Sequence, residues 1–268
     1  KEHFREEAAH AGARLMDGVW IHSVMYSAAG AVVLAFQFAS PAKLPSEAKK
    51  LILTQAWSTE LESLGQWIEI ECKNVVNCAG AWAPSVAKKL AYACPSEPVR
   101  RQISLFHARE VNLSEYGMMI DPSGVYFHPE AIYGLAGFAI KDEPGGYNFQ
   151  YDAEQFFENY IWPSLYERST HFESLRHISG WAGLYENSPD HHAIVGPVVG
   201  SGFAGARVFE AHSFSGHGVM QSFAVGVSLA QQIVRGRYEL VDFSKMSAAR
   251  FTAGGASASG IKEETWVI

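Results

Sequence analysis

The sequence predicts a mixed α/β fold, and three observations carry that expectation. Residues 98–146 run in short stretches rich in β-branched and aromatic side chains, broken by turn residues, as an antiparallel sheet does. Val219, Phe223, Val227, Ala230 and Val234 recur at helical spacing and stop at Gly236, which makes the clearest helix in the chain. At two places, Val75–Trp82 and Phe214–Gly218, a strand runs through small residues into a helical pattern. The 268 residues, 48% hydrophobic and 18% charged, suffice for one or two domains with a sizeable core.

In chain order, residues 1–11 read as the end of a helix stopped by Gly12. Arg14–Val24, Ala31–Phe38 and Trp67–Val76 read as strands of a small sheet, while Lys43–Leu64, polar and then mixed, reads as a loop or insertion. Pro84 opens a helix through Leu90, since its missing N–H costs nothing in a first turn. In the antiparallel region the strands are Arg101–Phe106, Gly124–Glu130 and Tyr133–Ile140. Asp152, with Gln155 three residues on, caps a helix through Ile161 that buries Phe156, Phe157, Tyr160 and Ile161. Strands at Ile178–Tyr185, Ala193–Val199 and Ala206–Phe214 precede the Val219–Arg235 helix, and Ala253–Gly260 reads as an extended or mobile surface tail.

Composition excludes several functions. A formal net charge of −7 and scattered Lys and Arg argue against a nucleic-acid partner. The longest apolar run, Ala28–Ala39, is interrupted by Gln37 and falls short of the ~20 residues of a membrane-spanning helix. Cys72, Cys78 and Cys94 are odd in number and form no C-x-x-C pair, as expected of reduced, buried thiols. No H-E-x-x-H occurs and His191 and His192 are adjacent, so no metal site is expected.

Two glycine clusters need separate readings. Gly200-Ser-Gly202-Phe-Ala-Gly205 is a literal G-x-G-x-x-G, but it leads into the strand-like Ala206–Glu210 and residues 218–226 hold no acid. It reads as a hairpin turn rather than a dinucleotide site. Phe214-Ser-Gly-His-Gly218 instead precedes a helix, whose first turn leaves N–H groups unpaired at the positive end of the macrodipole. That turn could hold a phosphate or the N1/C2-carbonyl edge of a flavin, or it could be a tight strand–helix connection and nothing more.

Three segments, in order, resemble the D-amino-acid oxidase and sarcosine oxidase type of FAD-dependent oxidoreductases. They are Val75-Val-Asn-Cys-Ala-Gly-Ala-Trp82, Gly183-Leu-Tyr-Glu-Asn-Ser-Pro-Asp190 with Ile194-Val-Gly196, and Phe214-Ser-Gly-His-Gly218. The resemblance implies the C-terminal part of a two-domain flavoprotein. A discontinuous, partial FAD-binding domain would take residues 1–97 and 183–243, an antiparallel substrate domain residues 98–182, and a tail residues 244–268. The family's N-terminal G-x-G-x-x-G unit is not among these residues, so the chain by itself is expected to bind FAD poorly. Flavin contacts are implied at Val19, Trp20, Ala79, Gly80, Ala81, Trp82, Gly183, Ser215, Gly216, His217, Gly218, Val219 and Met220. Catalytic roles are implied for His217, beside the isoalloxazine, and for Tyr126 and His128, facing substrate, although the latter two also read as ordinary sheet-face residues.

Two departures shape the expected chemistry. Gly183 stands where sarcosine oxidases carry the cysteine that attaches flavin, which implies non-covalent FAD. Met220 stands where those oxidases carry an oxygen-activating lysine, which implies transfer to another acceptor. A narrower resemblance rests on Asp121-Pro-Ser-Gly-Val-Tyr-Phe, Phe156-Phe-x4-Trp-Pro, Gly180-Trp-Ala-Gly and Ile233–Ser244. It points to a mitochondrial branch of the family that assists respiratory complex I assembly. The partners implied are complex I subunits or assembly intermediates, at the matrix side or peripheral to the inner membrane, with catalysis retained on a small amine or amino acid, reduced or lost.

Overall fold

The computed structural model describes residues 2–200, 203 and 205–251. They pack as two compact units, one of residues 2–75, 85–92, 200, 203 and 205–208, the other of 76–84, 93–199 and 209–251. This division follows packing, whereas the division expected from sequence followed the role of each part.

In the first unit, helix α1 (Glu2–His10) ends where Gly12 takes φ +90°, its N–H bonding to Ala9 and the Ala13 N–H to Ala8. Those two bonds are a Schellman cap, which needs a residue free to enter the left-handed region. Strands β1 (Val19–Ser27), β2 (Gly30–Phe38) and β3 (Gly65–Cys72) form an antiparallel sheet in that order. The expected strand from Arg14 begins only at Val19. The expected loop at Lys43–Leu64 is corrected: it contains α2 (Ser46–Leu53) and a 3-10 turn, Thr59–Leu64. Ala48, Leu61, Leu51 and Trp57 pack from this segment against Trp20, Phe36 and Phe38. The helix is two turns long with one fully buried residue, Ala48, so its apolar stripe is too narrow to stand out among lysines.

The expected strand Trp67–Val76 is two strands, β3 and β4 (Asn74–Asn77), in different sheets. At the break the Arg207 N–H bonds to the Lys73 carbonyl. Helix α3 (Ala83–Lys89) follows, with Pro84 in its first turn.

Strand β4 joins β10 (Ile194–Pro197) and β11 (Arg207–His212) in the order β10-β11-β4, with residues 76–77, 194–197 and 209–212 in the second unit. The literal G-x-G-x-x-G falls in the connection between the antiparallel β10 and β11 rather than before a helix, and its Ser201, Gly202 and Ala204 lie outside the described residues. Helix α5 (Gly218–Arg235) packs Val225 and Leu229 on Val195, Phe209 and Ala211. It ends at Gly236, φ +72°, as its spacing predicts.

A five-stranded sheet carries the rest: β6 (Met119–Ile120), β7 (Tyr126–Glu130), β8 (Tyr133–Phe138), β5 (Glu97–His107) and β9 (Arg176–Asn187), in the order β6-β7-β8-β5-β9. One face is covered by a helical segment, a π-helical stretch Glu154–Ile161 running into α4 (Trp162–Arg168). Asp152 caps its start by accepting the Gln155 N–H at 3.0 Å. Pro163 lacks an N–H and its ring crowds the carbonyl four residues back, and the wider π turn just ahead of it relieves that conflict. Phe106, Phe127, Ala136, Phe156, Phe157 and Ile161 form the core between sheet and helix. The expected tail, Ala253–Gly260, lies outside the described residues.

Candidate functional site

Two turns and one sheet face meet in the second unit. The first turn, Phe214–Gly218, joins β11 to α5. Ser213, Ser215 and Gly216 all have positive φ, +62°, +48° and +96°. Holding two serines in the left-handed region costs on the order of 1 kcal/mol or more each. Ser215 is fully buried, and a Cβ on Gly216 would fall 2.8 Å from the Tyr185 ring. His217 is the half-buried N-cap residue of α5 and its side chain makes no capping bond. Val219 and Met220 are 93% and 76% exposed, so the first helical turn stands open with its unpaired N–H groups.

The second turn, Gly80–Trp82, is pinned by Asn77. Its Nδ2 donates to the Ala83 carbonyl at 3.0 Å, and its Oδ1 accepts the Ala79 N–H at 3.2 Å. Gly80 has φ +55°, and Trp82 stacks on Tyr147 at 10° between ring planes. Glu186 spans both turns: Oε1 accepts the Phe214 N–H at 3.4 Å, and Oε2 would lie 3.9 Å from a Cβ on Gly80. Burial pushes the Glu186 carboxyl up, against backbone hydrogen bonds that pull it down.

The face of the five-stranded sheet opposite the helix is set by register. Glu97 pairs with Asn187, Val99 with Tyr185, Arg101 with Gly183 and Ile103 with Trp181, while Tyr126 and Ile103 both pair with Gly137. Directly paired residues share a face, so these side chains line one surface. Gly137 leaves room for the Tyr126 ring, since a Cβ there would come within 2.3 Å of it. Arg101 stands 5.3 Å from the Tyr185 ring centre in cation–π contact. Burial and neighbouring Tyr185 push the Tyr126 phenol up to about 12, with Arg101 acting against them, so it remains a proton donor at neutral pH. Burial also lowers Arg101 from its ordinary value.

A cavity of about 830 Å³ opens here, lined by Glu97, Val99, Arg101, Ile140, Glu143 and Asn187 among others. Two of the residues that line it each carry a buried polar atom, Arg101 Nε and Asn187 Oδ1, without a hydrogen-bond partner among the described residues. One is a donor beside a fixed positive charge, the other an acceptor. Buried polar groups are seldom left unpaired, so the pair fits a ligand that carries both an anionic and a donor group.

The structure therefore brings His217, Ser215, Gly216, Gly218, Gly183, Tyr126 and Gly80 into one unit with this surface. His128 is two residues along β7 from Tyr126, in the row of Leu135, with Nδ1 3.0 Å from the Pro129 carbonyl. Val19 and Trp20 belong to the other unit, where Trp20 is 6% exposed under the Lys89 ammonium. Ala79, Ala81 and Trp82 lie on the pinned turn, with Ala81 buried. Arg101, Tyr185, Glu186 and Asn187 were not singled out from sequence. Three of them stand inside the quoted Gly183–Asp190 segment, which was the available signal; Arg101 had none beyond its place in a strand.

Residues 4–232 match the family model for FAD dependent oxidoreductase. The chain belongs to the FAD dependent oxidoreductase family. FAD-dependent oxidoreductase domain-containing protein 1 of Bos taurus is 33% identical over 204 residues, covering 69% of this chain and 40% of that protein. The Xenopus laevis protein of the same name is 34% identical over 200 residues, 68% of this chain and 39% of its own length. Thus this FAD dependent oxidoreductase family chain spans about two fifths of those relatives. Among solved structures, L-proline dehydrogenase from P. horikoshii superposes with a TM-score of 0.70 at 20% identity, over 94% of this chain and 59% of the other. Glycine oxidase from Geobacillus kaustophilus gives 0.61 at 18%, over 90% and 54%. These two likenesses establish the fold. Family membership implies FAD binding, and the residues fit it: α5 offers an open N-terminus, and Gly183 has nothing within 4 Å of where a Cβ would stand.

Proposed function

We propose that the chain forms the substrate-facing part of a flavoprotein dehydrogenase that oxidises a small amino acid. The carrying observation is the pair of unsatisfied atoms, Arg101 Nε and Asn187 Oδ1, on two residues that line one cavity of the sheet face. Arg101 would hold the substrate carboxylate, and Asn187 Oδ1 would accept from its ammonium or amine. Tyr126, held protonated, would donate a hydrogen bond from the adjacent row. His217, at the N-cap of α5, would move a proton, and Glu186 would hold the Phe214–Gly218 turn through the Phe214 N–H. Gly216, Gly218 and Val219 would offer backbone N–H groups to the pyrimidine edge of FAD, bound without a covalent link. Bound FAD supplies the two-electron acceptor, and Met220 in place of a lysine favours onward transfer to an acceptor other than oxygen. Reading the domains by role, residues 1–97 and 183–243 would serve the cofactor and 98–182 the substrate.

The test uses the natural full-length protein loaded with FAD, followed by anaerobic flavin bleaching. Small amino acids should bleach it, and Arg101→Met should lower kcat/KM for them by about 100-fold or more, the loss of a charged hydrogen-bonded partner. The matching decarboxylated amines should be affected far less. Equal losses for both substrate classes would remove the carboxylate role, and failure of every amine and amino acid to bleach bound flavin would end the dehydrogenase reading.

The narrower resemblance supports a second role, association with respiratory complex I subunits or assembly intermediates at the mitochondrial inner membrane. Native-gel fractionation of mitochondria measures it. Co-migration with complex I species is expected, and a protein found only free in the matrix would refute it.

A further inference from the structure

Behind the Phe214–Gly218 turn lies a cluster that the proposed reaction leaves unused. His212 and Ser213 are fully buried, Glu210 is 1% exposed and Ser96 is 8% exposed, whereas Cys94 is only partly covered. His212 Nε2 lies 3.1 Å from Glu210 Oε2 and 3.8 Å from Cys94 Sγ. It faces a carboxylate acceptor, so this nitrogen carries a proton. Nδ1 lies 2.8 Å from Ser213 Oγ and 3.4 Å from Ser96 Oγ, hydroxyls able to accept a second one. The two hydroxyls also bond to each other. The Cys94 sulfur lies 3.8 Å from the imidazole Nε2, whose N–H it shares with Glu210. A partly covered sulfur against a doubly protonated imidazole suits a thiolate rather than a thiol.

Electrostatics agree with the geometry. Burial pushes the Cys94 thiol up, but the bonds from His212 and Ser96 outweigh it and the thiol is lowered. Burial likewise depresses His212, yet Cys94 and Glu210 raise it to about 9. Glu186 is the other carboxylate whose charge interacts with this imidazole.

We propose that Cys94 is an activated thiol, a modification site for small hydroperoxides, with His212 as its proton donor. The thiolate attacks one oxygen of the peroxide, the S–O bond forms and the O–O bond breaks. Sulfur is oxidised by two electrons to a sulfenic acid, and the peroxide is reduced to hydroxide or alkoxide. His212 gives that leaving oxygen its proton, which yields water or an alcohol and a neutral imidazole.

Iodoacetamide labelling of the folded chain, read per cysteine by mass spectrometry across pH, tests the thiolate. Cys78, exposed rather than buried as the sequence suggests, is the first control and Cys72 the second; desolvation by neighbouring groups pushes both thiols up. At pH 6, Cys94 should react at least about tenfold faster than Cys78. Hydrogen peroxide with a dimedone trap should place the adduct on Cys94, and His212→Asn should remove the rate advantage. A wild-type Cys94 that reacts no faster than Cys78 at pH 6, or that titrates in the ordinary thiol range, overturns the proposal without reference to any variant. Neither readout involves flavin, so the outcome is independent of the dehydrogenase reading.

Discussion

Arg250 and Asp190, each 5% exposed, form two hydrogen bonds of 2.8 and 2.9 Å, and the guanidinium also bonds to the Met246 and His192 carbonyls. Burial alone would raise the Asp190 carboxyl, but bonds from Arg250, the His192 N–H and Ser188 hold it below its ordinary value. Arg250→Met strands a buried carboxylate and should cost about 3–5 kcal/mol in denaturant unfolding at pH 7. Because the folded carboxyl is depressed, the pair's contribution is present above about pH 4 and is lost as pH falls through the folded value. The variant should therefore lose less stability on acidification than the wild type. Glu186 has the opposite sign: its raised carboxyl makes the fold less stable as pH rises from the unfolded value through the folded one. Glu186→Gln keeps an oxygen for the Phe214 N–H and should raise the neutral-pH melting temperature, with a gain on the order of 1 kcal/mol.

Elements were legible where periodicity and caps agreed. Helix α5 was legible from its spacing and its left-handed Gly236, but the recurring residues mark the wrong face: Val219, Phe223 and Val234 are exposed, and Val225 and Leu229 make the packing. Gly236→Ala should cost about 1 kcal/mol in thermal unfolding. Helix α2 satisfies neither: it follows Pro45, makes no side-chain cap bond and buries one alanine. The β3–β4 break falls where alternation slips, at the successive polar residues Lys73 and Asn74, an interruption too slight to show a change of sheet; the change of pairing partner, to Arg207, lies 134 positions along the chain. Strand faces posed the same difficulty. Arg101 became a candidate once β5–β9 register set it opposite Gly183, and the Cys94–His212 contact joins residues 118 apart. The glycines of the sheet carry a direct test: Gly137→Ala should displace the Tyr126 ring and lower substrate turnover while leaving the fold intact by circular dichroism.

At the scale of the molecule, the mixed α/β class and the family were both legible because the quoted motifs lie at turns, where backbone demands restrict the residue type. The boundaries of packing were not, since α3 and β11 each contribute to both compact units. Trp57 belongs to the core of one unit and Arg250 to the lock of the other. Trp57→Ala should cost about 3 kcal/mol in denaturant unfolding.

The aromatic nest around Trp57 also has an optical consequence. Its ring centre lies 5.6 Å from that of Trp20 and 5.5 Å from that of Trp67, at tilts of 37° and 50°. Indoles this close and inclined share their excitations, so the three should produce an exciton couplet in the ultraviolet circular dichroism. Trp82, Trp162 and Trp181 lie outside that nest. The couplet is thus a built-in reporter of the first unit, able to register its loosening while the rest of the chain remains silent.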